Sequence, residues 1–379
     1  MPNKSFKWLP AIVVPAVIVA GVIAVPLQAG AAVDLPDKTP KQVLLMVSDS
    51  RADSFSGTVE QSSNLGLPDI DLGARVTPSS AEAEGSTPDS SASVMNALEL
   101  LTGSHTLRVY AGGAGNTRIQ VLDRLDERNV ITNGTDAWYY ESDTNSATHV
   151  ALPARTDVDS DRKAAALDEL AAGGLSTPAD VADRLLSTLD SSTTVSVGKD
   201  SRVAGRSVYD LVLTPTSTET LVQSISIAVD SETGLPLRVR VQAGAQDDPA
   251  FDVAFTSVDF SAPSADLFSF TPPANATVTE QTLPAATDAN SDWSAAEADV
   301  PGREDAVITG SGWDAVVEVP AASVPSELTT SPLFTQFTSE VAGGRALSTS
   351  LVNVFITADG RVFTGAVSVE RLQAVASAS

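Results

Sequence analysis

From Thr194 to Thr256 the chain repeats one pattern, an apolar side chain followed by a polar one, in short runs separated by turn residues. Val195 and Val197 alternate with Thr194 and Ser196, and Tyr209, Leu211 and Leu213 share one parity. Ile225, Ile227 and Val229 oppose Ser224, Ser226 and Ala228. Leu237, Val239 and Val241 oppose Arg238, Arg240 and Gln242, and Phe251, Val253 and Phe255 oppose Asp252, Ala254 and Thr256. A period of two places alternate side chains on opposite faces of a strand. Strands with one apolar and one polar face are those of an antiparallel sheet with one buried side. The turn Asp230–Gly234 then joins neighbours in a meander.

An earlier segment repeats the design. Leu107, Val109 and Ala111 alternate with Thr106, Arg108 and Tyr110, the run 111–116 turns the chain, and Ile119 and Val121 flank Gln120 in the return. Asn133-Gly134 is a hairpin signal. Trp138 and Tyr140 follow, alternating with Ala137 and Tyr139, and Thr148–Leu152 pairs back. Each meander is preceded by a helix start: Thr39-Pro40 before Val43, Leu44 and Val47, and Thr177-Pro178 before Val181, Leu185 and Leu189. Phe55–Gln61 alternates as a strand. Shorter helices are expected at Val94, Leu98 and Leu101 and around Ala164–Ala172. The fold class is therefore α+β.

At 379 residues the chain is long enough for two domains. Residues 62–92 are rich in Ser, Gly, Pro and Asp and read as a flexible insertion, and 279–305 as an interdomain linker. The remainder, 306–379, reads as a small α+β domain. Its expected elements are a strand Trp313–Val319, a helix Pro332–Val341 with Leu333, Phe334 and Phe337 on its apolar side, and a hairpin of Leu351–Thr357 with Val362–Val367 around Asp359-Gly360. Residues 1–31 read as an export signal: Lys4 and Lys7, an apolar stretch from Trp8 to Leu27, and the small-residue site Ala29-Gly30-Ala31. Cleavage near Ala31 would leave the domain 32–278 and all that follows outside the cytoplasm. Retention of the stretch as a membrane anchor is the other reading, with the same location for the rest.

Charge and composition exclude several chemistries. A formal net charge of −25 repels nucleic-acid phosphates and anionic lipid surfaces. The absence of cysteine removes disulfides, thiolate metal sites, cysteine nucleophiles and a lipidated N-terminal Cys. Only two histidines are present, His105 and His149, and neither has a neighbouring nucleophile signature. Asp157, Asp159 and Asp161 form a D-x-D-x-D run, but Arg162 stands where a calcium loop needs Gly and Asp168 where it needs a bidentate Glu, so the run reads as a solvated acidic loop. Gly310-Ser311-Gly312 lacks the pattern of a nucleophile elbow. No phosphate loop or dinucleotide fingerprint occurs. A non-enzymatic protein with no cofactor and no metal is the expectation.

Four segments carry a resemblance. They are Thr39-Pro-Lys-Gln-Val-Leu-Leu through Phe55-Ser-Gly-Thr-Val, then 203–215 (Val-Ala-Gly-Arg-Ser-Val-Tyr-Asp-Leu-Val-Leu-Thr-Pro), then 228–239 (Ala-Val-Asp-Ser-Glu-Thr-Gly-Leu-Pro-Leu-Arg-Val), then 266–273 (Asp-Leu-Phe-Ser-Phe-Thr-Pro-Pro). In this order the chain resembles the LolA/RseB-like superfamily of periplasmic lipoprotein carriers and sigma-factor regulatory proteins, in particular its actinobacterial-type members. The resemblance implies a curved antiparallel half-barrel over 32–278 with helices on its concave face, holding acyl chains between them. It also implies that a small C-terminal domain is a family feature. On this reading Val109, Trp138, Tyr140, Ile225, Ile227, Val239 and Phe255 line an apolar groove for a lipid or acylated ligand. The other reading of the same side chains is a filled core. The implied function is carriage or sensing of a lipid or acylated lipoprotein. The alternative is an envelope regulatory module that binds a protein partner such as an anti-sigma factor.

Overall fold

The computed structural model describes residues 33–50, 52–67, 103–113, 115–122, 127–152, 177–187, 191–282, 306–324 and 337–379. Several expectations fall outside the described residues: the export signal at 1–31, most of the 62–92 insertion, the helices at Val94–Leu101 and Ala164–Ala172, the acidic run with Asp157, and 283–305 of the linker.

The Thr39-Pro40 signal forms a helix as its chemistry requires. Thr39 and Gln42 make a reciprocal capping box, with the Thr39 hydroxyl accepting from the Gln42 amide and the Gln42 side chain accepting from the Thr39 amide. Helix α1 (Pro40–Ser48) follows and buries Val43 and Val47. Helix α2 (Pro178–Ser187) starts at the second Thr-Pro step and buries Ala182.

Every alternating run becomes a strand. The first meander comprises β1 (Ser54–Ser63), β2 (Gly103–Gly112), β3 (Asn116–Leu122), β4 (Glu127–Asn133), β5 (Asp136–Glu141) and β6 (Ser146–Ala151). The second comprises β7 (Thr193–Val197), β8 (Ser201–Val203), β9 (Arg206–Pro215), β10 (Val222–Asp230), β11 (Pro236–Ala243) and β12 (Phe251–Asp259). With β13 (Thr277–Thr282) they form one 13-stranded sheet in the order β13-β6-β5-β4-β3-β2-β1-β12-β11-β10-β9-β7, and β8 pairs with β9. The two meanders meet at β1, which lies between β2 and β12. A bulge at Thr58/Val59 bends this seam. Against β11 and β12 lies α2, and against β7, β9 and β10 lies α1.

One turn is set by conformation. Ala204 and Gly205, between β8 and β9, both have positive φ, at 50° and 78°. That is the geometry of a primed two-residue hairpin turn, which favours Asn-Gly. Alanine is strained there, so Ala204→Asn should raise stability by about 0.5–1 kcal/mol, read from the urea midpoint at unchanged slope.

The parallel pairing of β13 with β6 was not expected: 279–282, the start of the expected linker, belong to this strand. Its sequence, Thr-Val-Thr-Glu-Gln-Thr, carries too little apolar character to stand out as a strand.

The C-terminal residues build a second sheet of six strands: β14 (Val307–Thr309), β15 (Val316–Val319), β16 (Ser339–Val341), β17 (Gly344–Ser348), β18 (Asn353–Thr357) and β19 (Val362–Gly365), in the order β14-β15-β19-β18-β17-β16. The hairpin around Asp359-Gly360 is present as β18–β19. Two expectations are corrected. Ser339–Val341, the end of the expected helix Pro332–Val341, is strand β16 paired with β17, because Ala342-Gly343 turns the chain back on itself. Gly312–Asp314 is a 3-10 turn, so the expected strand from Trp313 starts only at Val316. Helix α3 (Val369–Ala378), capped by the Ser368 hydroxyl, packs Leu372, Val375 and Ala376 on β18 and β19. Its apolar residues stand at i, i+3 and i+4, a helix signal carried by the sequence itself.

The two sheets touch at the end where β9 stops and β10 begins. The Leu221 amide and the Thr220 hydroxyl both donate to the Ala366 carbonyl. The Trp313 indole donates to Thr193 Oγ1 at 2.9 Å, and the Ser350 amide donates to the Leu65 carbonyl.

Candidate functional site

Cross-strand partners lie on the same face, so the registers sort the seven groove candidates. Val239 of β11 sits between Ile227 and Val253, and Phe255 of β12 faces Val59. Val59 faces Leu107, and Val109, two residues on, faces Ile119, which faces Val130, which faces Tyr139. Val109, Ile225, Ile227, Val239 and Phe255 therefore share one face. All five are buried, none more than 2 % exposed, in one cluster with Val43 and Val47 of α1 and Ala182 of α2. Phe255 meets Phe55 edge-on with centroids 6.0 Å apart.

Trp138 and Tyr140 do not join them. Trp138 faces Ile131 and His149, and Tyr140 faces Asn129 and Ala147, on the opposite side of the sheet. It is Tyr139 that shares the face of Val109. Burial and a hydrogen bond to Glu141 push the Tyr139 phenol well above its ordinary range.

What covers Trp138 and Tyr140 is the chain after β12. Phe270 packs on both rings, at 5.4 and 5.5 Å. Phe268 is buried against Gly112, where a side chain in place of the glycine hydrogen would overlap its ring. Arg118 donates to the Leu267 carbonyl and to Asn129 Oδ1. The Asn145 side chain donates through Nδ2 to the Asn275 carbonyl, and the Thr277 backbone amide donates to the Asn145 backbone carbonyl. The Phe268-Ser-Phe270-Thr-Pro-Pro motif is thus a strap across the outer face, and the aromatic pair is its seat. Its sequence was singled out, but nothing in it names the strands it crosses.

Two further motifs also meet. Arg206, from the Val203-Ala-Gly-Arg segment, donates Nε and Nη2 to the two oxygens of Asp230, both at 2.9 Å. Asp230 opens the Asp-Ser-Glu-Thr-Gly-Leu-Pro turn and is 1 % exposed. It also accepts from the Thr233 amide and hydroxyl. Arg206 reaches Glu232 as well, and its guanidinium lies over Phe260 at 4.9 Å. The bidentate bond to Asp230 holds its pKa above the usual arginine value. In the same turn Gly234 has φ 77°, and a Cβ there would overlap the Met46 carbonyl of α1. This pairing brings the β8–β9 hairpin and the β10–β11 turn together, a structural role.

Among polar clefts, one of about 510 Å³ lies between the β8 end and strands β1, β2, β11 and β12. Glu60, Thr106, Arg202, Arg238 and Asp252 line it with His105. Arg238 is already paired with Asp252 by two hydrogen bonds. His149 is held between two carboxylates, Asp136 and Glu280, at the sheet edge. Among the described residues no group of three or more His, Asp and Glu side chains is placed to hold a metal ion. No helix of the described residues is long and apolar enough to cross a membrane.

No family model matches the chain, and no curated protein matches it significantly. Solved structures do. Pseudomonas aeruginosa MucB in its complex with MucA is 17 % identical, with 89 % of this chain and 96 % of that chain covered and a TM-score of 0.38. An uncharacterized conserved protein from Thermus thermophilus is 12 % identical, covering 64 % of this chain and 98 % of that chain at a TM-score of 0.33. A LolA superfamily protein from Nitrosomonas europaea is 10 % identical, covering 62 % and 99 %, at 0.24. The chain is thus similar, at low identity, to solved structures that include MucB and a LolA superfamily member, and the likeness stands as similarity alone.

Proposed function

We propose that this chain is an extracytoplasmic, non-enzymatic binding protein that takes up an acyl chain of a lipid or lipoprotein. Its large sheet acts as a half-barrel, with α1 and α2 on the concave face. One observation carries this reading: an apolar face runs unbroken from Ile227 through Val239, Val253, Phe255, Val59, Leu107 and Val121, and two short helices lie in its cluster. Helices of 9 and 10 residues have little stability of their own and stay in place through their packing. An acyl chain can displace that packing with its own. Roughly ten methylenes would contribute about 8 kcal/mol before ordering costs, enough for reversible carriage. The five candidates on this face are the contacts proposed for the chain. Trp138 and Tyr140, beneath the strap, are left out of that set. The export pattern at 1–31 supports the location.

The test is native mass spectrometry of protein purified from its own cell envelope, followed by titration with an acyl fluorophore. A stoichiometric lipid mass, or saturable uptake competed by a fatty acid, is expected. Protein that is empty and takes up no fluorophore sinks the proposal.

A second reading, an envelope module that binds a protein partner such as an anti-sigma factor, is favoured by one feature. Edge strand β14 leaves Val307 and Ile308 exposed at 54 and 66 %. An apolar edge strand invites pairing with a strand of another chain. Crosslinking from Ile308 in the envelope would capture that partner.

A further inference from the structure

We propose that His149 is a pH-sensitive clasp that docks β13 on the edge of the large sheet, closed when the imidazole is protonated and loosened when it is neutral. The residues carrying it are on three adjacent strands. His149, in β6, places Nδ1 at 2.7 Å from Glu280 Oε2 of β13 and Nε2 at 2.9 Å from Asp136 Oδ1 of β5. Both ring nitrogens therefore face carboxylate oxygens. Only the imidazolium has a proton on each nitrogen, so only the charged form satisfies both contacts. A neutral ring must turn a lone pair toward one carboxylate and lose that hydrogen bond. Among the described residues, these two carboxylates are the charged groups acting on the ring. Trp138 of β5 stacks on it with centroids 4.2 Å apart, and Asp136 is held in place by Thr135 and Asn133.

Among the described residues, β13 is held by its six-pair ladder to β6 and by little apolar burial. Thr277–Gln281 are all exposed, Val278 included, so burial adds little to docking. On one side β13 pairs with β6, and Asn145 fixes only its start. The contact to Glu280 adds a charge-assisted side-chain tie to that ladder. Although burial opposes charge on His149, the bonds to Asp136 and Glu280 outweigh it and raise the pKa above the ordinary histidine value. A raised folded-state pKa means the clasp is complete below about pH 6.5, the unfolded value, for as long as the two carboxylates stay ionised, and is lost as pH rises through the folded value.

The chain has two histidines, so their ring Cε1 protons can be told apart by NMR with His105→Gln. In the full chain His149 is expected to titrate above the ordinary value, and Glu280→Gln should move it down. Exchange protection of the amides of 277–282, corrected for intrinsic rates, should fall several-fold as pH rises through that midpoint. In His149→Gln it should be lower and flat with pH. If His149 titrates at or below the ordinary value, or if protection in the unaltered chain is flat with pH, the clasp is refuted. The same holds if protection falls equally in His149→Gln.

Discussion

Arg206→Ala is expected to destabilise the protein by about 3 kcal/mol, a large share of the stability of an ordinary domain. Asp230 is 1 % exposed, and two of its hydrogen bonds come from the Arg206 fork. Truncation leaves a carboxylate inside the fold without its cation, and a buried unpaired charge costs several times what an exposed pair contributes. The effect stays at the lower end of the range because Thr233 still donates twice to Asp230. Arg206 is itself a quarter exposed, so water can reach the site. Arg206→Lys should recover only part of the loss, since an ammonium cannot span both oxygens. Removing Glu232, which is 77 % exposed, should cost little by comparison. Urea denaturation reads all three. A loss below about 1 kcal/mol for Arg206→Ala would mean that Asp230 is solvated in solution.

Phe255→Ala should cost about 4 kcal/mol, within the range for deleting a buried aromatic ring. Phe255 lies against Val59 and Phe55 at the seam where the two meanders join. Gly57 leaves room for it: a Cβ there would crowd the ring and the Ser257 carbonyl. The site cannot collapse, because the strands on either side are held by ladders, so the cavity term adds to the transfer term. The same substitution also probes the proposed groove. If the apolar face takes acyl chains, Phe255→Ala should alter fluorophore affinity at temperatures where the variant is still folded. Trp138→Ala, on the other face, should leave that affinity unchanged while loosening the strap. Equal effects of both on uptake would contradict the division of the two faces.

Much of the fold was legible because its signals are local. The alternation in 194–256 needs no partner to be read, since a residue's face follows from its parity in the strand. The Thr-Pro helix starts were legible for the same reason, because a cap closes within four residues, as the box of Thr39 and Gln42 does. The C-terminal helix α3 carried a local signal too and could have been found. The strand β16 could not: three residues with no apolar stripe form a strand only because β17 is there to pair with them.

The candidate site divides along the same line. In β10, β11 and β12 most of the large apolar side chains fall on one parity, so the buried face was legible in the sequence, and Ile225, Ile227, Val239 and Phe255 came out together. In β5 the run Trp138-Tyr139-Tyr140 is aromatic on both parities. No local rule selects the inner side. The strap supplies the reason, since both faces of β5 are covered and both carry apolar side chains. Arg206 likewise reads as an ordinary hairpin residue until Asp230, 24 positions away, is seen to be its partner.

By itself the sequence determined most strands of the two meanders, which face of each one-sided strand is buried, and which chemistries lack their cysteine or histidine residues. These depend on side-chain parity and composition, which are properties of a segment alone. Only the tertiary structure decided that β1 joins the two meanders, that Trp138 and Tyr140 sit under the strap, and that His149 lies between two carboxylates. Each of those is a pairing between distant residues, and its energy exists only once loop closure has brought them together.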